Sequence, residues 1–498
     1  MLLCATSPVS AQTYNLGGNG SWNSTASWNP TTIPNATGAS ATFNDAASGS
    51  NPAQTASRTV TADAVQTIGS INFNADAANA FTTSITTGTS GSKLTFDEVG
   101  AGPATITASA AVGTGNLTIS APMVLTDSLT VVVNNITASS TAGAVNLTAT
   151  ITGAGGFTKQ GDGLATFGTG AKTYAGPTVI SGGRIRMSSA ASPTATSSFT
   201  INGGQVDLIS AATFTFGGGP LNLNGTGPTS GPYATFPGAI RNDTGLIVTI
   251  NNSVVLQSDT LLHVEGTSGS ITFPNAVSGT GKLTFAAPNS SANQGQLILN
   301  GANTYQGGTF INGGTILVSG ASATLGTGDV TVDNTASPAS IAKLMIASGV
   351  TNAISDTATL SLAGGGTAGV ADQSWVDLGA GVNEVVGTLK LAGVVQVPGT
   401  YGSTSSSATF QNNEFFSGTG IITVVAPPTP PQLSIALATP NVVVSWPTNS
   451  TGYTLEEKIT ADNTTTWATN TTPVIISGTN NTVTLGLSNA TTFYRLIK

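Results

Sequence analysis

The sequence predicts an all-β protein, a parallel β-helix followed by a small antiparallel β-sandwich, on three observations. Only 7% of the 498 residues are Asp, Glu, Lys or Arg, against roughly 25% in an ordinary soluble domain, so Ser, Thr, Asn and Gly must carry solubility. With 62 Gly and 23 Pro long helices are disfavoured, while abundant Thr, Val and Ile fit a pleated surface. Short alternating runs such as Leu117-Thr118-Ile119 and Val145-Asn146-Leu147, each bounded by turn residues, recur through most of the chain, and two long segments repeat one another. The apolar residues are too regular and too many for disorder.

Taken in order, residues 1–11 read as the remnant of an export signal, with Val9-Ser10-Ala11 suited to cleavage before Gln12. Their short apolar part and missing basic region place the expected natural start upstream of Met1. Cys4 is the single cysteine, so after cleavage neither disulfide nor thiolate zinc site would hold the fold. Residues 12–93, with Trp22, Trp28, Pro34 and Phe43, read as a β-rich N-terminal cap. Residues 94–425 read as the β-helix. Ala426-Pro427-Pro428-Thr429-Pro430-Pro431 opens a stiff linker over 426–432. Residues 433–498 carry strands of another kind, including Val442-Val443-Val444-Ser445-Trp446 and Thr492-Phe493-Tyr494-Arg495-Leu496, and read as a sandwich; they resemble, weakly, fibronectin type III modules.

Internal repetition chooses the helix over a larger sandwich. Residues 153–187 align with 279–318, so that Thr173-Tyr174 matches Thr304-Tyr305 and Gly182-Gly183 matches Gly313-Gly314; Phe199-Thr200-Ile201-Asn202-Gly203-Gly204 echoes the strand and glycine turn again. A three-residue strand cannot bury its apolar face alone. Stacked on its equivalent at about 4.8 Å, it pairs every backbone group and makes the apolar column continuous.

These residues resemble the autotransporter-associated β-strand repeat, or passenger-associated transport repeat, of bacterial surface proteins. Gly301-Ala302-Asn303-Thr304-Tyr305-Gln306-Gly307-Gly308-Thr309, followed by strand, glycine and strand, is close to its core pattern, and 153–187 is a degenerate copy. The resemblance implies a right-handed parallel β-helix, export beyond the inner membrane and a structural or adhesive role, with no catalytic or cofactor residues. The sequence departs from a self-contained autotransporter in showing no run of amphipathic strands for a translocator barrel.

Glycosidase chemistry needs two convergent carboxyls. The candidates are Asp97 with Glu98, Asp329 with Asp333, Asp372 with Asp377, and Glu265 beside His263. Asp97 and Glu98 are neighbours and face oppositely; Asp329 and Asp333 flank a strand as turn residues. His263, the single histidine, shares a face with Leu261 and Glu265 and lacks a partner for a triad or a metal. Gly161-Asp162-Gly163 occurs once, whereas a calcium roll repeats its motif. Gly217-Gly218-Gly219 and Gly364-Gly365-Gly366 open no helix and read as turns, not phosphate cradles. Trp375, Trp22 and Trp28 are possible sugar platforms but better read as core or cap.

No catalytic, cofactor-binding or metal residue is therefore assigned. A net charge of -8 with 13 scattered basic residues excludes a nucleic-acid stripe, and no apolar run reaches the ~20 residues of a membrane helix. The expected protein is a secreted or cell-surface, adhesin-like scaffold, whose partners would be surface glycans or other surface proteins. The alternative is a carbohydrate-binding or polysaccharide-degrading β-helix.

Overall fold

The computed structural model describes residues 11–497 except 45–50, 75–80, 110–114, 135–143, 244, 288–293, 335–339, 426–430, 449–451, 461, 463–465 and 488–490. The export segment up to Ser10, Cys4 and most of the proline linker lie outside the described residues. The described chain is all-β, with two single-turn 3-10 segments and no α-helix. It divides into two compact units, Met1–Val425 and Ala426–Lys498.

The first unit is a solenoid of parallel strands. One face stacks Ser40–Asn44, Ser70–Asn74, Ala104–Ala108, Leu129–Val133, Phe157–Gln160, Thr178–Ile180, Phe199–Asn202 and Leu221–Gly225 in unbroken parallel register. Along this face the coil length varies from 21 residues, Phe157 to Thr178, to 35, Ser70 to Thr105. A second face runs from Arg58–Ala62 to Thr388–Leu391, and a third carries Ser270–Phe273, Gln296–Leu299, Gly314–Val318, Ala342–Ile346 and Ser374–Leu378. Parallel stacking thus already runs through residues 12–93. Antiparallel pairs appear at the two ends: Tyr14 with Trp28, Leu391 with Val394, and Tyr401 with Ile422.

Alternation explains the faces. In Leu117–Ile119 and in Val330–Val332 the outer residues of the triplet are buried and the central Thr is half-buried. The inward side chains form one continuous core from Tyr14 to Val424. At its first end Trp22, Trp28, Tyr14 and Phe43 pack with ring centroids 5.0–5.9 Å apart, each indole N–H bonded to a backbone carbonyl.

Many outward polar groups join coil to coil. Asn72 donates to Ser40, Asn74 to Asn44, Asn224 to Asn202, and Thr423 to Asn383. Such ladders order a surface nearly devoid of charge.

The second unit has two antiparallel sheets. One contains Ser434–Ala438, Asn441–Pro447, Ile475–Ser477 and Asn480–Gly486; the other contains Thr454–Lys458, Ala468–Thr469 and Phe493–Ile497. They share a small cluster in which Val444, Trp446, Leu455 and Val483 are fully buried.

Candidate functional surfaces

Each carboxylate singled out from the sequence has a structural task. Asp97 accepts from the Thr37 hydroxyl, and Glu98 from the Val99 N–H. Asp329 accepts the Thr359 N–H from the next coil at 2.7 Å, and Asp333 directly follows the strand Val330–Val332, its N–H donating to the Ile311 carbonyl. Asp372 accepts the Thr367 N–H, and Asp377 lies 4.0 Å from the Lys343 ammonium. Trp22 and Trp28 are core, whereas Trp375 projects outward beside Lys343 and donates to the Ser417 hydroxyl. The glycine triplets adopt turn geometry, with Gly364, Gly365 and Gly366 all at positive φ. Among the described residues no group of three or more His, Cys, Asp or Glu could hold a metal ion, and no helix is long and apolar enough to cross a membrane.

His263 and Glu265 belong to a larger charged cluster that sequence reasoning missed. On the second face, Thr118, Asn146 and Thr166 are followed in register by Arg186, Asp207, Arg241 and His263. Asp207, fully buried, meets Arg186 at 2.9 Å and Arg241 at 2.5 Å, with Arg184 at 3.8 Å. Asp243 and Glu265 complete the set by pairing with Arg186 and Arg241. The segment 226–239 roofs it: Tyr233 lies 4.4 Å from the Arg184 guanidinium, Phe236 packs edge-on to His263, and Gln205 donates to the Phe236 and Gly238 carbonyls. Burial pushes the Asp207 carboxyl up, against the pull of three guanidiniums. His263 is 2% exposed, and neither ring nitrogen has a hydrogen-bond partner among the described residues. Burial, and then Arg241 and Arg184, lower its pKa to about 4. Three guanidiniums face three carboxylates, so the cluster is a neutral, closed lock joining four coils. The signal for it was i, i+2 charge pairing in a charge-poor chain: Arg184 with Arg186, Arg241 with Asp243, His263 with Glu265.

The repeat copies can be read side chain by side chain. Tyr174 is completely buried, and its hydroxyl meets the Thr178 hydroxyl at 2.8 Å; Tyr305 does the same with Thr309 at 2.6 Å. Asn303 accepts the Val277 N–H and donates to the Thr324 carbonyl, stitching three coils together. In the other copy Lys172 stands in its place, its buried ammonium donating to the carbonyls of Ala149, Gly168 and Gly170. Lys159 is likewise fully buried and donates to the carbonyls of Gln160, Gly161 and Gly182.

Comparison with known proteins agrees with this geometry. Residues 157–187 and 292–318 match the passenger-associated-transport-repeat family. Over 162 residues, 32% of its length, the chain is 32% identical to the adhesin BmaC autotransporter of Brucella suis biovar 1 (strain 1330). That stretch covers 4% of the Brucella protein. No solved structure matches. Two stretches of the chain are thus similar to the passenger-associated transport repeat, and in each the repeat lies in parallel coils with a buried tyrosine–threonine contact.

Proposed function

We propose that this chain is an exported, surface-displayed scaffold of the adhesin kind, a passenger-like body that presents long faces of coil to the surroundings and carries out no reaction. The observation that carries the reading is the passenger repeat, present twice within one continuous solenoid. The likeness to an autotransporter adhesin supports it. On this reading the coils wind right-handed, the usual sense of parallel β crossovers, and residues 433–498 form a compact sandwich.

A non-enzymatic role is supported by how the candidate acids are spent: on turn amides, on the next coil, or in the roofed ion cluster. The test is display. Antibody raised against the purified chain should label intact cells of the bacterium that makes it, and protease added outside should remove the signal. Labelling only after permeabilisation would overturn the reading. Incubation of the purified chain with a panel of polysaccharides should release no reducing ends and no unsaturated products; turnover would replace the scaffold with an enzyme.

A further inference from the structure

One column of outward side chains on the third face holds three polar groups, Ser270, Gln296 and Thr315, whose side chains make no hydrogen bond to the described residues. Ile247, Ser270, Gln296, Thr315, Lys343 and Trp375 are consecutive register partners on six stacked strands. Ser270 is 8% exposed and Thr315 4% exposed, yet neither hydroxyl, nor the Gln296 amide, makes a hydrogen bond to any described residue. Elsewhere the equivalent columns bond to themselves, as Asn72 does to Ser40 and Asn224 to Asn202. None of these polar atoms is enclosed by the fold, so each is open at the surface and free to bond a ligand.

Five of the six, all but Trp375, line a groove of about 450 Å³, with Ile298 also in its wall, a size usual for a small-molecule site. Beside the polar column runs an aliphatic one, Ile298, Leu317 and Met345, also in consecutive register. A pyranose offers both counterparts, hydroxyls on its rim and C–H groups on its faces. The backbone N–H and C=O groups of these strands are consumed by the parallel ladders above and below, so a peptide could not add as a strand. Charge in the column is confined to Lys343, which faces Asp377 at 4.0 Å, so an acidic polymer would find a single cation already opposed by a carboxylate.

The geometry points to this groove as a binding site for a neutral oligosaccharide laid along the stack, its hydroxyls taken by Ser270, Gln296 and Thr315 and its C–H face by Ile298. This adds a ligand class to the adhesive reading, and it is tested apart from display because the purified chain is used.

The probe is an array of neutral glucans, galactans, mannans and N-acetylhexosamine oligomers beside uronate-containing and sialylated glycans. The full chain should be retained by a neutral glycan. Thr315→Val, which keeps the shape and removes the hydroxyl, and Gln296→Ala should each weaken that binding roughly tenfold, the worth of one good hydrogen bond. Thr130→Val, on another face, should leave it unchanged. Gln296 is only half-buried, so Gln296→Ala keeps the test intact should Thr315→Val fail to fold. The assignment is overturned if no neutral glycan is retained, if only acidic ones are, or if the folded groove variants bind like the parent. Glycan binding without surface labelling would sink display alone; surface labelling without glycan binding would sink the groove alone.

Discussion

In both copies of the repeat a buried tyrosine hydroxyl meets the threonine four residues on, and each threonine also reaches the following coil, Thr178 donating to Thr196 and Thr309 to the Leu325 carbonyl. The tyrosine fills the core while its polar tip is satisfied locally, which is how a completely buried phenol is tolerated. Tyr305→Phe should therefore cost about 1 kcal/mol, the net worth of one hydrogen bond, because Thr309 keeps its carbonyl; urea unfolding of the solenoid measures it. Asp207 is a different case. Asp207→Asn leaves Arg184, Arg186 and Arg241 crowded beneath the Tyr233 roof with one fewer carboxylate, and the expected loss is about 3–5 kcal/mol. His263 predicts a pH dependence. Its pKa is lowered to about 4 in the fold, against about 6.5 when unfolded. The unfolded chain therefore binds a proton first as the pH falls, and stability from this residue is lost between pH 6.5 and 4. The loss is roughly 3 kcal/mol. His263→Gln should flatten the stability curve by that amount between pH 7 and 4, and an unchanged slope would refute the assignment.

Among whole elements, the corners set the tolerances. A Cβ on Gly155 would lie 2.0 Å from the Asp127 carbonyl oxygen, and one on Gly281 2.0 Å from the Ser258 oxygen, so the same repeat glycine touches the backbone of the coil before it in both copies. Gly281→Ala should cost about 3 kcal/mol, the upper part of the range for overpacking. Gly218, with nothing within 4 Å of its Cβ position, should accept Ala with no loss and serves as the control; thermal melts of the two variants compare them directly. The strands themselves were legible in the sequence, because a period of two over three residues assigns the inward side chain without knowledge of the neighbour. His263 could be placed on the face of Leu261 and Glu265 on that ground alone, and Leu262 and Val264 are indeed the core residues of that strand. The charges at i, i+2 hinted at the ion cluster, but their pairing was not legible, because partners such as Arg186 and Asp243 lie 57 residues apart. Nor was the groove column. Ser270, Gln296, Thr315 and Lys343 become neighbours only through register, across coils of unequal length. Repeat periodicity reveals stacking; it does not reveal which outward groups fall in line.

For the molecule as a whole, stability divides unevenly. The solenoid owns a core continuous from Tyr14 to Val424, and in a stacked array each coil is held by its neighbours, so stability grows with the number of interfaces. Among the described residues the C-terminal unit buries a small apolar cluster, Val444, Trp446, Leu455 and Val483, and leaves Ile435, Leu437 and Ile476 well exposed. A domain of this size is marginal even when well packed. Calorimetry of the full chain should therefore give two transitions, the lower one from the C-terminal unit. Trp446→Ala, which empties the largest side chain of the small cluster, should remove the lower transition and leave the upper one in place. It costs about 3–5 kcal/mol by the usual range for a buried tryptophan, comparable with everything the unit has. Emptying a large aromatic from the solenoid core, by Phe157→Ala, should instead lower the upper transition by a few degrees without abolishing it, since coils away from Phe157 keep their contacts. A single cooperative transition in the parent chain, shifted as one by either variant, would show that the two cores melt together and would overturn this division.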